Sequence, residues 1–260
     1  MKATLMTITP ELAKSILDTK NKHNRPMNRH HVKALANEMT RGTWKVNGDT
    51  ICLNGDRLID GQHRLAAVIQ SGVTIESFVI EGLPSDVFDT KDTGKRRSAA
   101  DTLSVRGESN TKRLAASLVL IDKYFTGRVD RSVNYSNTEI EELLEKYPDA
   151  RHSLRTDYKS NGLFIPSVLD ACYYLFSQKD KAMAEEFVDK IYKGIGLHED
   201  SPWYLLRERL VRNSMAKAQM DRTYMMALCI KAFNAARTKT RLKVLRWREQ
   251  GHVEQFPVIL

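Results

Sequence analysis

The chain has 260 residues, 42% of them hydrophobic and 28% charged, which excludes a disordered or fibrous polymer and suffices for one large domain or two small ones. Lys and Arg number 41 against 32 Asp and Glu, a formal net charge of +9, so the field of the molecule favours polyanions such as nucleic acid or nucleotide phosphates. Cys52, Cys172 and Cys229 form no CxxC pair and lie in apolar stretches, which fits buried free thiols in a reducing compartment better than a disulfide framework.

Thr9-Pro10-Glu11 reads as an N-cap, a first-turn proline and an early acid, so a helix is expected with Leu12, Ala13, Ile16 and Leu17 on one face. Asn24-Arg25-Pro26 breaks it. A second helix follows Asn28, with Val32, Leu35, Ala36 and Met39 spaced i, i+3, i+4, i+7 and Gly42 as its stop. The period then shortens. Thr50–Leu53 and Arg57–Ile59 are expected as strands around an Asn54-Gly55 turn. Asp60-Gly61 leads into a helix carrying Leu65, Ala66, Val68 and Ile69 and ending at Gly72, and Ile75–Ile80 is a further strand. Beyond Gly82 strand signals fade. A polar connector runs from Asp89 to Arg97. Helical patterns follow at Thr111–Tyr124, Asn137–Lys146, Pro166–Ser177, Lys181–Tyr192, Trp203–Arg212 and Asp221–Arg237.

The segment Leu58–Ile69 carries the most chemistry. A strand delivers the chain to Asp60-Gly61 and a helix begins at once. The first turn of a helix has unpaired N–H groups and the positive end of the macrodipole, so a phosphate fits there. Gly61 has no Cβ to hold a phosphate away. His63 and Arg64 add donors, and Arg64 offers a planar fork. Asp60 is placed to cap the helix or to help hold a metal. On these residues alone a capped helix start explains the segment equally well.

Gly61-Gln62-His63-Arg64-Leu65-Ala66-Ala67 resembles the Gly-Gly-Cys-His-Arg-Tyr-Ala-Ala segment of sulfiredoxins and the Gly-Glu-Arg-Arg-x-Arg-Ala box of ParB partition proteins. The preceding order is also similar: Arg25 in a polar segment, an amphipathic helix, a small hairpin, then the box. In the Asp-Gly-Gln-His-Arg form it resembles ParB-like proteins of phages and other mobile elements, as do the stretches Phe88–Asp101, Lys231–Asn234 and Leu245–Trp247. The resemblance implies a nucleotide, ATP or CTP, with magnesium as a companion ion. It assigns Arg25, Gly61, Gln62, His63 and Arg64 to nucleotide binding. It also makes Asp60 and His63 the candidates for catalysis in any NTPase or phosphoryl-transfer reaction. Gln62 stands where sulfiredoxins have their catalytic cysteine, so sulfinic-acid reduction is not expected. Gln62 and His63 also replace the Glu and first Arg of the ParB box, so a ParB-type CTP switch does not follow.

Lys95, Arg96 and Arg97 precede a helix and read either as a second clamp on phosphate or nucleic acid, or as a solvated, capped helix start. Lys239, Arg241 and Lys243, with Arg237, Arg246 and Arg248, form a basic run suited to a nucleic-acid backbone, with Trp247 placed to stack on a base. The alternative packs Leu242, Val244 and Trp247 inward. Arg207, Arg209 and Arg212 lie on a helix suited to the same patch. His23, His30 and His31 lack metal-site spacing and read as surface residues, so no metal ligands are assigned. Glu38 and Asp49 are carboxylates near the candidate site in sequence. Tyr173, Tyr174, Trp203 and Tyr204 read as core aromatics.

The expected architecture is α+β: a ParB/sulfiredoxin-like domain over residues 1–98, then a mostly α-helical domain over 99–260. The expected function is nucleotide binding by a cytoplasmic protein that works on or with DNA. A metal-dependent nuclease or DNA-modifying enzyme and a non-enzymatic DNA-binding regulator are the alternatives. The expected partners are nucleotide and DNA, with a homodimer compatible; no apolar run reaches membrane-span length, and Met1–Leu5 lacks a signal-peptide core.

Overall fold

The computed structural model describes residues 1–22, 24, 26–83, 98–158, 162–217, 220–248 and 254–260. The chain divides into two compact units, Met1–Arg96 and Arg97–Leu260. The first mixes helices and strands and the second is built from helices.

Unit 1 runs β1 (Lys2–Ile8), α1 (Pro10–Lys20), α2 (Arg29–Thr40), β2 (Thr50–Asn54), β3 (Arg57–Asp60), α3 (Gln62–Ser71), β4 (Ile75–Glu81). Its sheet order is β1-β4-β2-β3. β1 and β4 pair antiparallel from Lys2↔Glu81 to Ile8↔Ile75. β2 runs parallel to β4, from Thr50↔Phe78 to Leu53↔Glu81. β2 and β3 form the hairpin expected at Asn54-Gly55, with a register shift between Cys52 and Leu53.

Local chemistry sets the ends of these elements. Thr9 caps α1 by accepting from the Leu12 N–H at 3.2 Å. Asn28 caps α2 by accepting from His30 N and His31 N at 3.1 and 3.2 Å. Gly72 ends α3 at φ +69, where an L side chain would be strained. α1 and α2 both pack on α3. Ile8, Val32, Met39, Ile51, Leu58, Leu65 and Val79 form the core of one sheet face. On the other face Cys52, Ile59 and Leu83 are buried with Ile80 against them.

Unit 2 comprises α4 (Ala99–Val105), α5 (Thr111–Phe125), α6 (Asn137–Lys146), a 3₁₀ turn at Pro148–Ser153, α7 (Pro166–Ser177), α8 (Lys181–Lys193), α9 (Pro202–Met215) and α10 (Arg222–Arg237). α7 is its centre, packed by α5, α8 and α10 and buried continuously from Ser167 to Phe176. Phe176 stacks on Phe233 of α10 with ring centroids 4.0 Å apart and planes 11° apart. One turn earlier on each helix lie Cys172 and Cys229, both fully buried, and burial pushes the Cys229 thiol well above the usual range. All three cysteines are free and buried. The tail is held by Asn234, which donates to the Val258 carbonyl at 2.8 Å and accepts from Leu260 N at 3.1 Å.

Two of the buried polar residues of unit 2 are carboxylates. Asp170, fully buried on α7, takes a two-pronged ion pair from Arg113 and accepts from Arg155 N at 2.9 Å. Asp122, also buried, accepts from Lys146 Nζ at 3.0 Å, Tyr135 Oη at 2.9 Å and Tyr147 Oη at 3.2 Å. Among the described residues no helix is long and apolar enough to cross a membrane.

Candidate functional site

The Asp60-Gly61-Gln62-His63-Arg64 segment lies where β3 passes into α3, as its sequence implies. Gly61, not Asp60, is the N-cap of α3, and it provides no side-chain cap. Its φ is +105, in the left-handed region that favours glycine. A Cβ there would lie 3.0 Å from Ile51 Cγ1 and 3.2 Å from Ile51 Cα. The glycine is thus demanded by its own backbone and by the close passage of β2, beside any role in admitting a ligand.

Asp60 Oδ1 accepts from Gly61 N at 2.7 Å, while Oδ2 lies 3.5 Å from Arg64 Nη2. Arg64 Nη1 donates to the Thr50 carbonyl on β2. The guanidinium is therefore tied to both strands of the hairpin, and its side chain is only 13% exposed. Gln62 and His63 are buried. His63 Nε2 accepts from Asn28 N at 3.1 Å, so that nitrogen carries no proton in this arrangement. The first turn of α3 is thereby joined to the cap of α2.

Asn24 and Asn28, in the polar segment before α2, are each anchored to the neighbouring elements. Asn24 Nδ2 donates to the Leu58 carbonyl at 2.8 Å, and Asn28 meets His63 as above. Arg25, between them in sequence, lies outside the described residues, as does His23. His31 corrects the reading of the histidines as surface residues: it is half-buried, with its ring 5.2 Å from that of His63. His30 is exposed. Asp49 is exposed and Glu38 half-buried. Among the described residues no group of three or more His, Cys, Asp and Glu side chains is arranged to hold a metal ion.

Lys95, Arg96 and Arg97 lie outside the described residues. The residue after them, Ser98, starts a capped helix: its side chain and that of Asp101 satisfy each other's backbone N–H groups at the head of α4.

The C-terminal basic run departs from expectation in one respect. Trp247 is not available to stack on a base. It is 3% exposed, its Nε1 donates to the Gln255 carbonyl at 3.1 Å, and it packs on Phe256 at 5.5 Å between ring centroids. Leu242 is half-buried against the core as the inward alternative expects, and Leu245 is buried as well, whereas Val244 is 61% exposed. The reason is that the tail folds back and offers an apolar seat for the indole. Several of the basic groups have protein partners. Arg241 pairs with Asp200 at 2.6 Å, Arg248 with Asp130 at 3.0 Å and Arg237 with the Leu260 carbonyl. Arg207 donates to the Ile191 carbonyl at 3.0 Å and Arg212 pairs with Glu208 at 3.1 Å. Lys239, Lys243 and Arg209 are exposed. Tyr173, Tyr174 and Trp203 are buried in the core, with Tyr204 half-buried.

Compared with models of protein families, with curated proteins and with solved structures, the chain matches none.

Proposed function

We propose that unit 1 binds the phosphates of ATP or CTP at the head of α3, and that the protein uses this nucleotide while acting on or with DNA. One observation carries the reading: a strand passes through a positive-φ glycine directly into a helix that has no side-chain cap, with Gln62, His63 and Arg64 as its first turn. Such a start concentrates N–H donors and the positive end of the helix dipole on one spot. The order of α2, hairpin and box-bearing helix is the order that the resemblance to ParB and sulfiredoxin proteins implies, and it supports the same reading.

Within this reading the side chains divide their roles. Asp60 holds the Gly61 N–H and faces the Arg64 fork, so it orients the arginine. His63 fixes the segment that precedes α2. Arg64 supplies the positive charge beside the phosphates. A nucleotide brings its own magnesium, and Asp60 is the carboxylate nearest the first turn in sequence.

DNA is the second partner of the proposal. The net charge of +9 and the exposed Lys239 and Lys243 support it.

The test is calorimetric titration with ATP, CTP, GTP and UTP, each with magnesium, on the native chain and on Arg64→Ala. Saturable binding of ATP or CTP is expected, weakened at least about tenfold by the substitution. Thermal melts of both proteins show whether the variant is folded. No binding of any nucleotide to a folded native chain overturns the proposal. Release of inorganic phosphate in the same mixtures separates a hydrolase from a switch.

A further inference from the structure

The two edges of the sheet are treated differently. β3 is four residues long, begins with Arg57 and ends with Asp60, and its pairing with β2 shifts register. Asn24 covers its Leu58 carbonyl, and Lys20 Nζ donates to Gly55 O of the adjoining turn at 2.8 Å. Short length, charge, irregularity and cover are the means by which sheets avoid joining other sheets. β1 has only the charge of Lys2 at its first position. It is seven residues long, pairs with β4 in unbroken register, and is exposed at every residue but Ile8. From Ala3 to Ile8 it contains no charge and no proline. No hydrogen bond among the described residues reaches its outer side.

This edge also exposes the apolar side chains of Leu5 and Met6. Ile8 points into the core, so Leu5 lies on the opposite face of the sheet. Leu5 is 48% exposed, and its ladder partner Phe78 is 38% exposed.

We propose that β1 pairs antiparallel with β1 of a second copy of this chain, about a twofold axis at Leu5, so that two sheets become one. In that register Leu5 faces the partner's Leu5, Thr4 faces the partner's Met6, Ala3 faces the partner's Thr7 and Lys2 faces the partner's Ile8. A continuous apolar row then crosses the interface: Phe78, Leu5, the partner's Leu5, the partner's Phe78. The two Lys2 ammoniums sit at opposite ends, so no like charges meet. The exposed apolar row meets its own copy while the like charges are kept apart, and this match of side chains and charge makes a second copy the occupant. A single added strand buries less than the roughly 800 Å² per partner of a standard interface, so the dimer is weak and depends on concentration. Each copy carries +9, so salt strengthens the association by screening.

Sedimentation equilibrium of the full chain, from low micromolar to near-millimolar, tests this at two salt concentrations. A monomer–dimer equilibrium that tightens with salt is expected. Leu5→Lys places two ammoniums face to face and should weaken the dimer at least about tenfold without moving the thermal melt. Register is tested by oxidative cross-linking, with the native chain, whose cysteines are all buried, as background. Leu5→Cys should form a disulfide dimer, and Ala3→Cys, which would face Thr7, should not. A monomer at every concentration overturns the proposal, as does a dimer that Leu5→Lys leaves unchanged. Equal cross-linking at the two positions overturns it as well. Capture of an extended peptide from another protein by a chain that stays monomeric would reassign the edge to a different partner.

Discussion

Gly61 is held by its neighbours as well as by its own torsion angles. Gly61→Ala combines a strained left-handed alanine with overlap on Ile51, and should cost about 2–4 kcal/mol. The shift of the urea midpoint of unit 1 measures it; an unmoved midpoint would show that β2 yields at no cost. Asp122 makes a different residue-scale prediction. Burial pushes its carboxyl up, but the hydrogen bonds from Lys146, Tyr135 and Tyr147 outweigh that, so it titrates below the ordinary aspartate range. A carboxyl lowered in the fold contributes stability above its unfolded pKa and loses it as pH falls through the folded value. The stability that Asp122 contributes to unit 2 should therefore be lost below about pH 4. Asp122→Ala should cost about 2–3 kcal/mol at neutral pH, because two tyrosine hydroxyls lose their acceptor, and should flatten the acid limb of a melting-temperature profile. Lys146→Ala, at a side chain 54% exposed, should cost less than about 1 kcal/mol. The sequence marks Asp60 to Arg64 as a site candidate, but it does not reveal that His63 holds Asn28 or that Arg64 lies across Thr50. Those partners are 35 and 14 residues away, and only the fold brings them together.

Elements were legible where their ends carry their own chemistry. Asn28, Ser136, Asp180, Ser201 and Asp221 each accept from a first-turn N–H, and the helices expected near them are present. β1 was not anticipated, and the physical reason is plain. A half-buried strand is read from alternation, and β1 is buried only at Ile8, so its sequence has no pattern to show. The short α4 was visible only as a capped start. At this scale the contact between α7 and α10 dominates unit 2, where Phe233 is fully buried against Phe176. Phe233→Ala should cost about 3–5 kcal/mol through the lost stack and the cavity left behind. Chemical denaturation followed by near-ultraviolet circular dichroism reads it directly; a loss below about 1 kcal/mol would mean that the core closes around the gap.

The whole molecule joins an α+β unit to a helical one, each with its own core, and carries a large positive charge. Charge makes the two proposed associations respond oppositely to salt. DNA binding should weaken steeply, as counterions are released, while self-association through β1 should strengthen. Lys239→Glu with Lys243→Glu should lower DNA affinity and reduce the log–log salt slope by about 2, if each lysine meets one phosphate. Fluorescence anisotropy of a labelled duplex across a salt series measures both. An unchanged slope would move the DNA surface elsewhere. The stack of Phe176 on Phe233 has a consequence for the birth of the protein. α7 is apolar on nearly every side and receives Phe233 only after 57 more residues have been made. At about 5–20 residues per second, the nascent chain carries that helix without its closing partner for roughly 3–11 s. Throughout that interval it is a natural client for the chaperones that wait at the ribosome exit.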